Sequence, residues 1–214
     1  MQRDLSDLRQ DYTQGELLMS HMGENPFVQF AEWFEAAGRS NIREPNAMTL
    51  ATASADGQPH ARIVLLKSFD DKGFVFYTNY QSDKGKELAD NPRAALLFFW
   101  DSMERQVRLE GTVSKVAAEV STAYFQSRPR GSQLGAWASP QSSVIANREV
   151  LEKRLAQVEK TYAGQDILPR PPHWGGYILL PHQFEFWQGR ANRLHDRIRY
   201  RSVGGSWFRE RLAP

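Results

Sequence analysis

Helical periodicity marks the first clear element of the chain. In NPFVQFAEWFEAAGRSN, Phe27, Phe30, Ala31 and Phe34 recur at steps of three and four, which predicts a helix burying that face. Asn25 can cap it, Pro26 suits its first turn, and Gly38 can end it. The period then changes to two. AMTLATAS, ARIVLLKSF and FVFYTNY read as strands, joined by the turns ADGQ and DDKG. SDKGKELADNP reads as a short helix, and RAALLFFW as a strand covered on both faces because it is almost wholly apolar. RQVRLEGTVSKV alternates over a long stretch. Two helices follow, AAEVSTAYFQSRP and NREVLEKRLAQVEKTYAG, the second with Leu151, Leu155 and Val158 on one face; RGSQLGAWASPQSS between them reads as a polar loop. The chain ends in strands GGYILLPHQFEFWQG, RIRYRSV and SWFRERL.

Short antiparallel strands with tight turns, and no regular βαβ alternation, predict a mainly β fold with peripheral helices: a closed barrel rather than a doubly wound sheet. Residues 1–24 are polar, with a short helix expected in DLSDLRQDY, and read as a mobile arm; residues 25–214 read as one domain. No internal repeat interrupts this plan.

Composition narrows the function classes. The chain has no cysteine, which excludes disulfides and thiol chemistry and fits a cytoplasmic protein. A formal charge of +2 argues against a nucleic-acid binder, so any cationic role must come from local clustering. No apolar run is long enough to span a bilayer. The five histidines show no metal-ligand spacing, and no P-loop, dinucleotide glycine motif, HExxH or nucleophile elbow is present.

Four segments concentrate cations and hydrogen-bonding groups. Arg62 and Lys67 flank the apolar core of RIVLLK; five apart in a regular strand, they would face opposite sides. FYTNYQSDKGK sets Lys84 at a helix start, where free N–H groups favour anions, although a plain Ser82 cap explains the same residues. YFQSRPRGSQLGAW carries Tyr124, Arg128, Arg130 and Ser132, which can surround a phosphate or merely end a helix. In RLHDR, an extended backbone would put Arg193, His195 and Arg197 on one face, a setting for a small anion or an exposed strand end. Together these segments point to two phosphate-sized sites.

RIVLLK, FYTN, ERQVRLEG, YFQSRPRGSQLGAW, QSS, EFWQG and RLHDR, in this order, resemble the pyridoxine/pyridoxamine 5′-phosphate oxidase family from about Leu8 to the C-terminus. The resemblance implies an FMN-binding split β-barrel of antiparallel Greek-key type. It implies a homodimer with active sites at the interface. Pyridoxine or pyridoxamine 5′-phosphate would be oxidised to pyridoxal 5′-phosphate by hydride transfer to the flavin, with O2 as acceptor and hydrogen peroxide as product. By resemblance, Arg62 and Lys84 meet the FMN phosphate; Ile63, Val64, Leu65, Tyr77 and Thr78 lie along the flavin; Gln106, Gln141 and Ser142 bond to it; and Trp187 and Arg197 complete its pocket. Lys67, also beside the cofactor, would join Tyr124, Arg128 and Ser132 on the substrate phosphate. Arg193 and His195 would act on the pyridine ring as catalytic residues, and Arg9 and Tyr12 would reach it from the arm. One departure is Asp83, where the family often has arginine.

A flavin oxidase of the phenazine branch and a non-catalytic carrier of FMN or pyridoxal phosphate are the alternatives. Lys67 and SRPR favour a phosphorylated substrate over the first, and substrate-dependent flavin reduction separates an enzyme from the second.

Overall fold

The structure is a computed structural model and describes residues 3–5, 8 and 11–214. Helix α1 (Pro26–Gly38) starts where expected, with the Asn25 side chain accepting from the Phe27 N–H. Strands β1 (Ala47–Ala53), β2 (Pro59–Leu65), β3 (Ser68–Asp70) and β4 (Gly73–Asn79) follow. Helix α2 (Asp83–Asp90) leads into β5 (Arg93–Trp100) and β6 (Arg105–Lys115). Helices α3 (Ala118–Ser127), α4 (Arg130–Ala138) and α5 (Arg148–Thr161) precede β7 (Trp174–Gln188), β8 (Asp196–Val203) and β9 (Ser206–Leu212).

The strands form one sheet in the order β2-β1-β5-β6-β7-β4-β3, with β8 on β7 and β9 on β8. Strand β7 serves two partners in turn. Its first half pairs antiparallel with β4, from Phe74↔Leu179 to Asn79↔Trp174. Its second half pairs antiparallel with β8, from Gln183↔Arg201 to Gln188↔Asp196. Pro181, which has no N–H to give a ladder, lies between the two.

The chain divides into two compact units. The first comprises Met1–Thr49, Ala95–Glu110 and Pro181–Pro214. Its core is aromatic: Phe30 of α1 meets Phe98 of β5 at 5.1 Å, and Trp33 meets Phe186 of β7 at 5.2 Å. Each such ring contributes about 2–3 kcal/mol by leaving water. Leu17 and Met22 are buried in it too. The second unit comprises Leu50–Ala94 and Gly111–Leu180. Phe74, Phe76, Tyr177 and Leu179 are buried there, and a satellite cluster of Phe125, Leu134, Leu168 and Trp174 lies under α3, α4 and α5.

Several expectations need correction. Helix α1 buries Gln29, Phe30, Trp33 and Ala37, a face rotated from the one read off its phenylalanines, because Trp33 outweighs Ala31 in area. Strand β5 is fully buried on one face only: Ala94, Leu96, Phe98 and Trp100 are buried, while on the other Ala95 and Leu97 are half-buried and Phe99 is 55% exposed. RGSQLGAWA is helix α4, not loop. Gln133, Leu134 and Ala138 form its buried stripe, and the Gln133 amide donates to the carbonyls of Gln126 and Arg128, closing the end of α3. On α5, Leu151, Leu155 and Val158 are only half-buried. The helix expected in DLSDLRQDY falls partly outside the described residues; Asp4, Leu5, Leu8, Asp11 and Tyr12 are not helical.

Candidate functional site

Within the second unit, β2, β4, α2, α3 and α4 enclose a cavity of about 870 Å³. Arg62, Ile63, Val64, Leu65, Lys67, Tyr77, Thr78, Lys84, Tyr124, Arg128, Ser132 and Gln141 all line it, so the structure brings together twelve of the residues singled out from sequence. Four are cations, and no carboxylate is in the lining. Arg62 and Lys67 share this cavity although a regular strand would oppose them. The reason is local: β2 ends at Leu65 and β3 begins at Ser68, and Lys67, whose N–H donates to the Val75 carbonyl of β4, lies in the break between them, so the alternation of β2 does not run through it. Strand β2 also stands at one end of the sheet order, so among the described residues no strand pairs with its outer edge.

Lys84 lies in the first turn of α2, whose N-terminus Ser82 caps by accepting from the Gly85 N–H. The Lys84 ammonium is buried and 3.4 Å from each of three acceptors, Thr78 Oγ1, Ser82 Oγ and Gln141 Oε1. Burial pushes it below the usual lysine range and the Arg62 charge adds to that, against opposite pulls from Asp83 and Glu87. Thr78 donates to Gln141 at 3.2 Å. Asp83 is exposed and absent from the cavity wall, so its carboxylate does not line the space a ligand would fill, although its charge acts on Lys84.

The opposite wall is aromatic. Tyr77 stacks on Tyr124 at 3.9 Å and on Trp174 at 5.5 Å. The guanidinium of Arg128 sits 4.7 Å over the Trp174 ring. Its Nη1 is buried with no hydrogen-bond partner, an orphaned donor that an anion would satisfy. Burial holds this guanidinium below its usual value.

Ser142 takes a positive φ of 68° beside Gln141 and does not line the cavity. The remaining candidates belong to the first unit. Trp187 lies 4.7 Å from the His195 ring, and Tyr12 meets both edge-on at 5.7 Å. His195 Nδ1 accepts from the Arg190 N–H at 3.1 Å; burial and the Arg193 charge hold its pKa below the ordinary imidazole value. The five residues from Arg193 do not form a strand: Asn192 and Arg193 have φ of 56° and 60° in a turn, and β8 begins only at Asp196. Arg193 is exposed, whereas Arg197 is bound to Glu185 at 2.8 Å, so the predicted common face is not formed. Gln106 is half-buried on β6. Arg9 lies outside the described residues.

Sequence reasoning missed the residues behind the cations. Glu87 pairs with Arg62 at 3.1 Å and with His60 at 2.8 Å, and Thr52 bonds to both Glu87 and Arg62. Its signal was a lysine and a glutamate three apart on one helix, on the buried face. Glu185, 2% exposed, joins Arg108 and Arg197. Trp174 was also missed; two glycines after an aromatic residue mark a close approach of other groups to the strand.

Comparison with known proteins gives a consistent result. Residues 34–162 match the family model described as pyridoxamine 5′-phosphate oxidase, and residues 174–214 match the pyridoxine 5′-phosphate oxidase C-terminal dimerisation region. A pyridoxine/pyridoxamine 5′-phosphate oxidase of Acaryochloris marina is 59% identical over 213 residues, covering 100% of this chain and 97% of that one. One from Salinibacter ruber is 58% identical over 212 residues, covering 98% and 99%. Among solved structures, PhzG from Burkholderia lata in complex with tetrahydrophenazine-1-carboxylic acid has a TM-score of 0.87 at 31% identity, covering 94% of this chain and 100% of that one. A pyridoxamine 5′-phosphate oxidase-related, FMN binding protein from Nostoc punctiforme, at TM-score 0.70 and 19% identity over 90% of this chain and all of that one, shares the fold. The fold is therefore the antiparallel split barrel with peripheral helices that the sequence resemblance implied.

Proposed function

The chain belongs to the pyridoxine/pyridoxamine 5′-phosphate oxidase family, and from that premise we propose that it oxidises pyridoxine and pyridoxamine 5′-phosphates to pyridoxal 5′-phosphate, using FMN and O2 and releasing hydrogen peroxide. The observation that carries this reading is the cavity: four cations, no carboxylate in its lining, and an aromatic wall, in a volume suited to two phosphorylated ring compounds.

The residues present fit FMN. Arg62 and Lys84 would hold its phosphate, helped by the N-terminus of α2. The outer edge at Ile63, Val64 and Leu65 offers backbone groups to a polar ring edge, and Tyr77, Thr78 and Gln141 offer a flat face and hydrogen bonds. Bound FMN would supply the two-electron redox chemistry that no side chain of this chain can perform. Lys67, Tyr124, Arg128 and Ser132 would hold the substrate phosphate, leaving the pyridine ring to be oriented by the protein; fixing both ends lowers the entropic cost of the reactive geometry.

Arg193 and His195 complete this reading as the residues that hold the reacting end of the substrate. Because Nδ1 of His195 accepts a backbone hydrogen bond, the proton of the neutral ring sits on Nε2, which can donate to a substrate oxygen or nitrogen. Ser142, Gln106, Trp187 and Arg197 are assigned to the cofactor site, and Tyr12 and Arg9 to the arm that covers the substrate. The matched dimerisation region supports a homodimer, and we place the active sites at its interface. No helix among the described residues is long and apolar enough to cross a membrane, and we place the enzyme in the cytoplasm.

PhzG is the related protein that favours another substrate class, but its identity of 31% is well below the 59% of the Acaryochloris oxidase, and both Lys67 and Arg128 line the cavity here. Turnover of FMN-loaded protein tests the choice. Pyridoxal 5′-phosphate should form from both phosphates with one hydrogen peroxide each, and unphosphorylated pyridoxine should react poorly. Equal turnover of pyridoxine and its phosphate would contradict the assignment.

A further inference from the structure

We propose that Trp174 is a positioning residue that holds Arg128, and through it the phosphate of the substrate. The inference rests on the reading of Arg128 as a phosphate-holding residue. A half-buried guanidinium usually takes a carboxylate partner, as Arg62 takes Glu87. No carboxylate pairs with Arg128 among the described residues; the guanidinium lies over the Trp174 ring at 4.7 Å and near Phe125 at 6.0 Å. The two solutions differ in what they leave for a ligand. A carboxylate would offset part of the charge seen by a phosphate and occupy some of the N–H groups, whereas the negative face of an indole holds the cation in place and leaves its charge and its N–H groups available. Nη1 of Arg128 is buried and unpartnered, as expected of a donor kept for a ligand.

Trp174 is itself fixed. It is buried against Phe125, Leu134 and Leu168, and the Arg170 guanidinium bonds to its carbonyl while the Arg170 Nε donates to Thr122. Its ring lies within 13° of parallel to Tyr77 and within 9° of parallel to Tyr124. The indole, itself part of the cavity wall, therefore packs beside three other wall residues, two of them assigned to the substrate phosphate. Gly176 keeps this stack possible: a Cβ there would lie 2.8 Å from Tyr77 Cε1.

The test weakens the ring face without changing its shape. In FMN-loaded protein, Trp174 alone is replaced by tryptophans carrying one, two and three ring fluorines, and kinetics are measured with pyridoxine 5′-phosphate. KM should rise stepwise with fluorination, to about tenfold, with kcat held within about twofold. Equilibrium binding of pyridoxal 5′-phosphate should weaken in parallel, and Trp174→Phe should fall between wild type and the most fluorinated protein. In an Arg128→Ala background fluorination should change nothing further. A KM indifferent to fluorination, or one raised equally in the Arg128→Ala background, would overturn the inference while leaving the phosphate reading intact. An unchanged KM in Arg128→Ala itself would overturn that reading, and this inference with it.

Discussion

Arg62 and Glu87 form a 3.1 Å ion pair in which the carboxylate is the more buried partner, its side chain 9% exposed against 22% for the arginine. Arg62 Nη1 bonds to the Leu50 carbonyl and to Thr52, and Nη2 to Glu87, so one edge of the guanidinium is anchored and the rest is left toward the cavity. Removing the carboxylate should release that anchor. Glu87→Ala is expected to cost about 2 kcal/mol of stability in chemical denaturation, because a charged hydrogen bond is lost and a guanidinium is left partly unpaired. A change below about 0.5 kcal/mol would show the pair to be incidental.

The same carboxyl sets an acid limit. Burial alone would raise the Glu87 pKa, but bonds from Thr52 and Arg62 and the charges of Arg62 and His60 together hold it below the ordinary carboxylate value. A depressed pKa contributes stability that is present above the unfolded value and lost as pH falls through the folded one. Melting temperatures of wild type and Glu87→Gln should therefore converge below about pH 4.5. Parallel curves through that window would refute the linkage.

Lys84 has the opposite consequence. Its ammonium is destabilised by burial and by Arg62, so its pKa is low for a lysine. FMN binding that needs the charged form should weaken on the alkaline side earlier than an ordinary lysine would dictate, and Lys84→Met should remove both that pH dependence and most of the affinity. Stability of the FMN-free protein should instead rise with pH through this window, since the unfolded chain there holds the extra proton. Fluorescence titration of FMN across pH, beside melting curves, checks both signs.

Much of this arrangement was legible in the chain. The alternating pattern placed all of the long strands, and the charged segments named most of the cavity wall. What failed did so where alternation breaks. Lys67 follows the end of β2, and Arg193 sits in a turn with φ of 60°, so a two-residue period assigned both to the wrong face. Helix α4 was hidden because Gly131 and Gly135 lower helix propensity, and its burial of Gln133 depends on capping the preceding helix. Glu87 and Trp174 were missed for another reason: each acts on a cavity residue distant in sequence, and a single chain does not display that contact.

Gly176 and Gly131 offer a paired test of the wall. A Cβ at Gly176 would meet Val116 Cγ2 at 2.7 Å as well as the Tyr77 ring, whereas nothing lies within 4 Å of one at Gly131. Gly176→Ala should cost about 1–3 kcal/mol and displace Tyr77. Gly131→Ala, in exposed helix, should be neutral or add up to about 1 kcal/mol. Denaturation midpoints distinguish the pair, and equal effects would contradict the packing described.

His195 should titrate below the ordinary imidazole value and carry its neutral proton on Nε2, because the Arg190 N–H occupies Nδ1 and burial, followed by the Arg193 charge, opposes protonation. Nitrogen NMR of the labelled imidazole reads both. A proton on Nδ1 at neutral pH would exclude the donor role assigned to Nε2.

Oxidation of a phosphorylated B6 vitamer with FMN is the activity proposed for this chain. The most direct measurement is anaerobic: FMN-loaded protein is mixed with pyridoxine 5′-phosphate or pyridoxamine 5′-phosphate and the absorbance of the oxidised flavin is followed. Bleaching with both compounds, and recovery when air is admitted, is the expected result. Bound FMN whose absorbance neither compound changes would contradict it.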